Sequence, residues 1–239
     1  MPGPVALVGS GEFLEVMRPV DEALLEGRPR RAVILPTAAA EEGEERVGYW
    51  LSLGRAHYEA IGVEPVPLAV LDRADADRPE LAAAVAGAGL VYLSGGNPGY
   101  LADTLRDSLV WDAVLRAWDA GAALVGCSAG ACALTAVAED FRHPGRFSGI
   151  GLGVVADLAV IPHFDRFAAY DPGLLGPFLS RQAPGRVVVG IDEETALIGE
   201  GGLWRVDGRR SVWRIAADGT RRRFFSGDEV ELSAGMMAP

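Results

Sequence analysis

The run Gly126-Cys127-Ser128-Ala129-Gly130 sets a serine between glycines at −2 and +2, after an apolar stretch (Ala122 to Gly126) and before an alanine-rich one (Ala129 to Ala136). A strand that turns at once into a helix lifts its apex hydroxyl above the strand ends, and the flanking positions must be small for the backbone to close. Gly126, Ala129 and Gly130 meet that need, which makes Ser128 the expected nucleophile of an acyl transfer. Cys127 is a chemical rival, because a thiol can stand at such an apex, but its spacing turns it back toward the core. A plain small-residue turn between strand and helix would look the same, so the elbow must be read together with its partners.

A serine hydroxyl is a weak nucleophile until a general base takes its proton. Three histidines are available. His57 falls in a helix-like stretch and reads as a surface or packing residue. His143 sits in the turn-like Phe141-Arg142-His143-Pro144-Gly145 and is an alternative base. His163 follows the apolar run Leu158 to Ile161, at a strand end, where α/β sheets gather catalytic groups, and it is preferred. The imidazole in turn needs a carboxylate to hold its tautomer. Asp192-Glu193-Glu194 directly follows the apolar run Val187 to Ile191; Glu193 is the first choice and Asp192 the second. Two backbone N–H groups must face the developing oxyanion. Ala129, after the nucleophile, is one, and Gly96, in Ser94-Gly95-Gly96-Asn97 after the run Leu90 to Leu93, is the other. Gly9-Ser10-Gly11 after the first strand looks similar, but neither loop completes a dinucleotide or Walker pattern.

The elements that must carry these residues alternate. Val5 to Val8, Arg31 to Leu35, Leu90 to Leu93, Ala122 to Gly126 and Val187 to Ile191 read as buried parallel strands. Between them lie helix-like stretches: Val20 to Leu25, Val47 to Ile61, Pro79 to Ala86, Gly99 to Arg106, Leu109 to Ala120 and Ala129 to Ala136. The pattern predicts an α/β fold, a doubly wound, mostly parallel sheet with helices on both faces. Near the end, Leu203 to Val206, Ser211 to Ile215 and Thr220 to Phe225 are separated by Asp207-Gly208 and Asp218-Gly219, pairs that favour hairpin turns. Residues 200–225 are therefore expected to extend the sheet antiparallel, with 226–239 as a tail, all within a single domain of 1–239.

Composition narrows the function. The 239 residues, 49% hydrophobic, suffice for one large core. A formal charge of −11 repels phosphate backbones, so nucleic acid is not an expected partner. All 22 basic side chains are arginine, which removes any lysine nucleophile. Cys127 and Cys132 lack metal-ligand spacing and histidine partners and read as reduced thiols; no metal and no cofactor are expected. Without a signal-like start or a long apolar span, the chain reads as cytoplasmic, with no membrane association.

Ser94-Gly95-Gly96-Asn97, Gly126-Cys127-Ser128-Ala129-Gly130-Ala131, Pro162-His163-Phe164 and Gly190-Ile191-Asp192-Glu193 follow one another in the order and spacing of the S51 serine peptidases, the family of aspartyl dipeptidase (peptidase E) and cyanophycinase. The resemblance runs from about Val5 to Ile198 and includes Leu35-Pro36-Thr37-Ala38. It implies a fold like that of class I glutamine amidotransferases, with serine in place of cysteine, and cleavage of peptide bonds next to aspartate. It implies Ser128 as nucleophile, His163 as base, Glu193 as third member, and Gly96 with Ala129 as oxyanion hole. Asn97 resembles the dipeptidase branch, and Ile191 to Ala196 the cyanophycinase branch, while Pro162 departs from the Asp-Gln-His of cyanophycinases. A small peptide is the expected partner, with Asn97 and Arg166 as substrate-binding residues, Arg181 as a second cation, and a homodimer as a candidate assembly. The alternatives are a cyanophycinase-like exopeptidase, a thiol enzyme using Cys127, and a non-catalytic small-molecule-binding module.

Overall fold

Strands without a polar face need cover on both sides, and the short apolar runs of this chain obtain it from two packed layers of helices. The computed structural model describes residues 1–140, 149–166, 176–180 and 185–232; His143 and Arg181 lie outside them. In chain order the strands are β1 (Val5–Val8), β2 (Arg31–Leu35), β3 (Glu64–Pro67), β4 (Leu90–Leu93), β5 (Ala123–Cys127), β6 (Val137–Ala138), β7 (Gly149–Ile150), β8 (Leu158–Ile161), β9 (Val187–Ile191), β10 (Thr195–Glu200), β11 (Leu203–Gly208), β12 (Ser211–Ile215) and β13 (Arg221–Phe225). The helices are α1 (Arg18–Leu24), α2 (Glu44–Ala60), α3 (Arg73–Ala76), α4 (Pro79–Ala84), α5 (Pro98–Leu105), α6 (Leu109–Asp119) and α7 (Ala129–Ala133).

The large sheet has seven strands in the order β11-β10-β1-β5-β4-β2-β3. β1 to β5 are parallel, and β10 and β11 add an antiparallel flank beside β1. On one face Val20, Leu24 and Tyr58 of α1 and α2 pack against Ala6, Ile34, Tyr92 and Val125. On the other, Leu101, Leu105, Val110 and Val114 of α5 and α6 cover Leu7, Val33, Val91 and Leu124. This is the fold class expected from the alternation of elements. His57 belongs to this packing: it is 2% exposed, with Nε2 2.7 Å from Asp21 Oδ2. Burial pushes the Asp21 carboxyl up, and the His57 partner opposes that rise.

Three features differ from expectation. The run 187–191 is not in the large sheet: β9 joins a second sheet, ordered β13-β12-β9-β8, in which β8 and β9 are parallel and the rest antiparallel. The expected extension 200–225 is accordingly divided, β11 going to the large sheet and β12 with β13 to the small one. Asp207-Gly208 therefore ends β11, paired with Ala196 and Thr195, and is not a hairpin; Arg209-Arg210 make the crossing between sheets, and a Cβ on Gly208 would lie 2.5 Å from Glu194 O. The hairpin from β10 to β11 is made by Gly201-Gly202, both at positive φ, while Asp218-Gly219 does turn β12 into β13, with Ala216 N–H donating to Thr220 O. The start of the expected tail also pairs: Val206 N–H donates to Asp228 O and Val230 N–H to Trp204 O.

Candidate active site

Ser128 stands at φ 51°, ψ −108°, immediately after β5 and at the start of α7. That conformation strains a residue with a Cβ, and the neighbours hold it there by leaving no space: a Cβ on Gly126 would sit 2.5 Å from Gly130 O, and one on Gly130 would sit 2.3 Å from Leu93 O. Both glycines of the motif are thus steric requirements of the elbow. Among the described residues five non-glycines have positive φ, and Ser128, His163 and Glu194 are three of them. Strain is concentrated where the expected chemistry lies.

The three expected triad residues meet. Ser128 Oγ is 3.0 Å from His163 Nε2, and His163 Nδ1 is 2.8 Å from Glu193 Oε1. A carboxylate only accepts, so the Nδ1 proton faces Glu193 and Nε2 is left to accept from the serine hydroxyl. His163 is positioned by its neighbour: Phe164 is 1% exposed and packs over Gly190, where a Cβ would lie 2.4 Å from the ring. Glu193 is held from behind as well. Its N–H donates to Asp165 Oδ1 at 3.0 Å, Arg210 pairs with the other Asp165 oxygen, and Arg166 Nε lies 2.9 Å from Glu193 Oε2. Asp192, the second choice, points elsewhere: it is 3% exposed and accepts from Trp213 Nε1 at 3.0 Å. Burial raises its carboxyl above the usual range, with the Trp213 bond acting in the opposite sense.

Gly96 and Ala129 flank the serine. Gly96 has φ 147°, and a Cβ there would lie 2.1 Å from Ala38 O, so only glycine fits. Cys127 is wholly buried; burial first, and the nearby Glu12 second, push its thiol well above the ordinary range, so it stays protonated. The two residues expected to bind substrate are engaged differently. Asn97 caps α5, its Oδ1 accepting Tyr100 N–H at 3.1 Å while its Nδ2 donates to Glu41 at 2.6 Å. Arg166, 66% exposed, is turned onto Glu193. Among the described residues, the arginine that lines the cleft is Arg46 of α2.

The cleft above Ser128 has a volume of about 350 Å³, with Glu12, Arg46, Trp50, Gly96, Ser128 and His163 in its wall. Arg46 lies over the Tyr49 and Trp50 rings, 5.3 and 5.2 Å from their centroids, and its Nε is 3.2 Å from Glu42. Sequence reasoning missed Arg46, Glu12 and Asp165. Only Glu12 had a local signal, its place directly after Gly9-Ser10-Gly11.

The sequence model of peptidase family S51 matches residues 5–206, a span that includes Ser128, His163 and Glu193. The chain belongs to peptidase family S51. Two curated cyanophycinases, from Synechococcus elongatus and Thermosynechococcus vestitus, are each 29% identical to it over 194 residues, 75% of this chain and 56% of theirs. The chain thus spans little more than half the length of these curated relatives. Among solved structures, a peptidase from an acI-B1 Actinobacterium is 36% identical, with a TM-score of 0.88, over 97% of this chain and 98% of that one. A provisional peptidase E from Listeria monocytogenes EGD-e shares the fold, with a TM-score of 0.60 and 18% identity over 87% of this chain and 100% of that one. Among the described residues of this S51 member, no helix is long and apolar enough to cross a membrane.

Proposed function

We propose that this S51 member is a serine-type peptidase that hydrolyses small peptides through an acyl-enzyme. His163 takes the Ser128 proton as Oγ attacks the scissile carbonyl; Glu193 steadies the imidazolium; and the N–H groups of Gly96 and Ala129 receive the oxyanion. His163 then returns the proton to the departing amine, and water, activated by the same imidazole, releases the acyl group. The observation that carries this reading is the single file of Ser128 Oγ, His163 Nε2 and Nδ1, and Glu193 Oε1, at 3.0 and 2.8 Å. A bond next to an aspartyl or related acidic residue is the proposed target, with Arg46 as the cation that reads it, because Arg46 lines the cleft that holds Ser128 whereas Arg166 is turned onto Glu193.

Treatment with a fluorophosphonate, followed by mapping of the adduct, tests the nucleophile without a known substrate. The adduct is expected on Ser128, and Ser128→Ala should abolish it and lower peptide turnover by about four orders of magnitude or more. An unmodified protein would end the proposal and favour a binding module on this fold, and an adduct elsewhere would remove Ser128 as the nucleophile. Comparing Asp-X, Glu-X and Ala-X dipeptides tests the specificity: Arg46→Ala should erase the preference for acidic residues, and equal rates on all three with the unaltered protein would refute an acidic pocket.

A further inference from the structure

The loop after β1 carries a carboxylate that the triad does not use. Glu12 is 6% exposed, and its partners are not cations: Oε1 accepts Gly95 N–H at 3.0 Å, and Oε2 accepts the Cys127 thiol at 3.1 Å. Removing a carboxylate from water is unfavourable unless its oxygens are well engaged, and here each oxygen has one donor. Those donors occupy telling positions. Gly95 immediately precedes Gly96, and Cys127 immediately precedes Ser128. One side chain therefore joins the segments that follow β1 and β4 to the end of β5.

An oxyanion hole works by being in place before charge develops, and two successive glycines are a poor way to fix a donor, since both peptides turn freely in the unbound chain. On the far side of the turn, Asn97 N–H is anchored to Ala38 O at 2.6 Å. On the near side the anchor for Gly95 is Glu12, and the glycine is needed for it: a Cβ at 95 would lie 2.8 Å from Glu12 Oε1 and 3.5 Å from Ser128 Cβ. The peptide between Gly95 and Gly96 is thus clamped from both ends, next to the nucleophile.

We propose that Glu12 is a positioning residue: it locks the Gly95-Gly96 turn to the Cys127-Ser128 elbow, so that the Gly96 N–H faces the oxyanion before substrate binds, with the Cys127 thiol as its second proton donor. Cys127 is then a fixture of the hole and not a spare nucleophile. The inference rests on the serine-peptidase reading and adds to it a residue outside the triad.

The test measures the rate of fluorophosphonate labelling in the unaltered protein and in Glu12→Ala, Glu12→Gln and Glu12→Asp, with Ser128→Ala as blank and Gly95 amide exchange followed in parallel. Glu12→Ala should label about 10- to 100-fold more slowly and expose Gly95 N–H to exchange. Glu12→Gln keeps an acceptor for Gly95 and turns an amide N–H toward Cys127 Sγ; it should recover to within about fivefold of the unaltered rate and restore protection. Glu12→Asp keeps the charge but is one methylene too short to hold both donors, and should resemble Glu12→Ala; it serves alone if the alanine variant does not fold. Normal labelling in Glu12→Ala or Glu12→Asp, or a glutamine variant as slow as alanine, would overturn the proposal while leaving the peptidase reading intact. Failure of the unaltered protein to label would remove both.

Discussion

In the seven-stranded sheet Ser128 ends a strand with a neighbour on either side, β1 and β4, and every residue of β5 is buried. In the four-stranded sheet His163 follows β8, an edge strand, and Glu193 follows β9. Ser128 is thus fixed by the core, whereas His163 and Glu193 are fixed by how the second sheet meets the first. That seam is short. His163 N–H donates to Gly9 O at 3.3 Å and Glu194 N–H to Ser10 O at 2.9 Å, so the two residues after β1 hold His163 and the Glu193-Glu194 segment beside Ser128. Splitting Ser128, His163 and Glu193 between two sheets this way makes their distances depend on register between sheets more than on any one strand.

The comparison is broken most severely at the second-sheet end of the file. Glu193→Gln should keep the fold, because the amide can still face His163 and accept from Arg166, but it no longer enforces the tautomer with Nε2 free. We expect fluorophosphonate labelling and peptide turnover to fall by about three to four orders of magnitude, the loss seen when a triad acid becomes an amide, with little change in thermal midpoint. Arg166→Ala removes a largely exposed partner of the same carboxylate and should cost less than about tenfold. A larger loss from arginine than from Glu193 would place the essential acid contact elsewhere.

The seam itself is tested by Gly9→Ala. A Cβ at that position would lie 2.1 Å from Asp192 O and 2.5 Å from Ile191 O, both backbone atoms of the second sheet, so the sheets must part to admit it. The expected outcome is a loss of about 1–3 kcal/mol in denaturant unfolding, together with a labelling rate lower by about 10² from a displacement of the order of an ångström. Lost stability with an unchanged rate would show that the triad does not feel the seam.

What could be read in the sequence follows the same division. β1, β4 and β9 have the boundaries expected from their apolar runs, because every residue in them is buried and no exposed position blurs their ends, and β2 matches as well although it opens on the half-buried Arg31. β3 escaped notice because Pro65 and Pro67 argue against a strand, and it is tolerated as the edge of its sheet. The separation into two sheets was not legible: Val187 to Ile191 looks like any large-sheet strand, and pairing partners are a long-range property. Ser128, His163 and Glu193 could be singled out, and the structure brings them together, because each lies within two residues of the end of a buried strand. The roles expected of Asn97 and Arg166 depended on which neighbours folding brought to them, a helix end in one case and Glu193 in the other. Arg46 carries no motif at all; it reaches the cleft only because α2 turns that face inward.

The smallest expected effect sharpens the comparison at adjacent residues of the same strand end. Asp192 faces into the second sheet toward Trp213, whereas Glu193 faces the seam. Burial raises the folded-state pKa of Asp192 above its unfolded value, so the ionised carboxylate disfavours the fold, fully above the raised value and not at all once pH drops below the unfolded carboxylate range. Asp192→Asn keeps the acceptor for Trp213 and removes the charge. Its thermal midpoint should therefore match or exceed that of the unaltered protein at neutral pH, with the gap closing as pH falls below about 4, and its labelling rate should stay within about threefold. A collapse of activity in Asp192→Asn, beside a tolerant Glu193→Gln, would exchange their roles and make the buried side of the second sheet, not the seam, the source of the triad's acid.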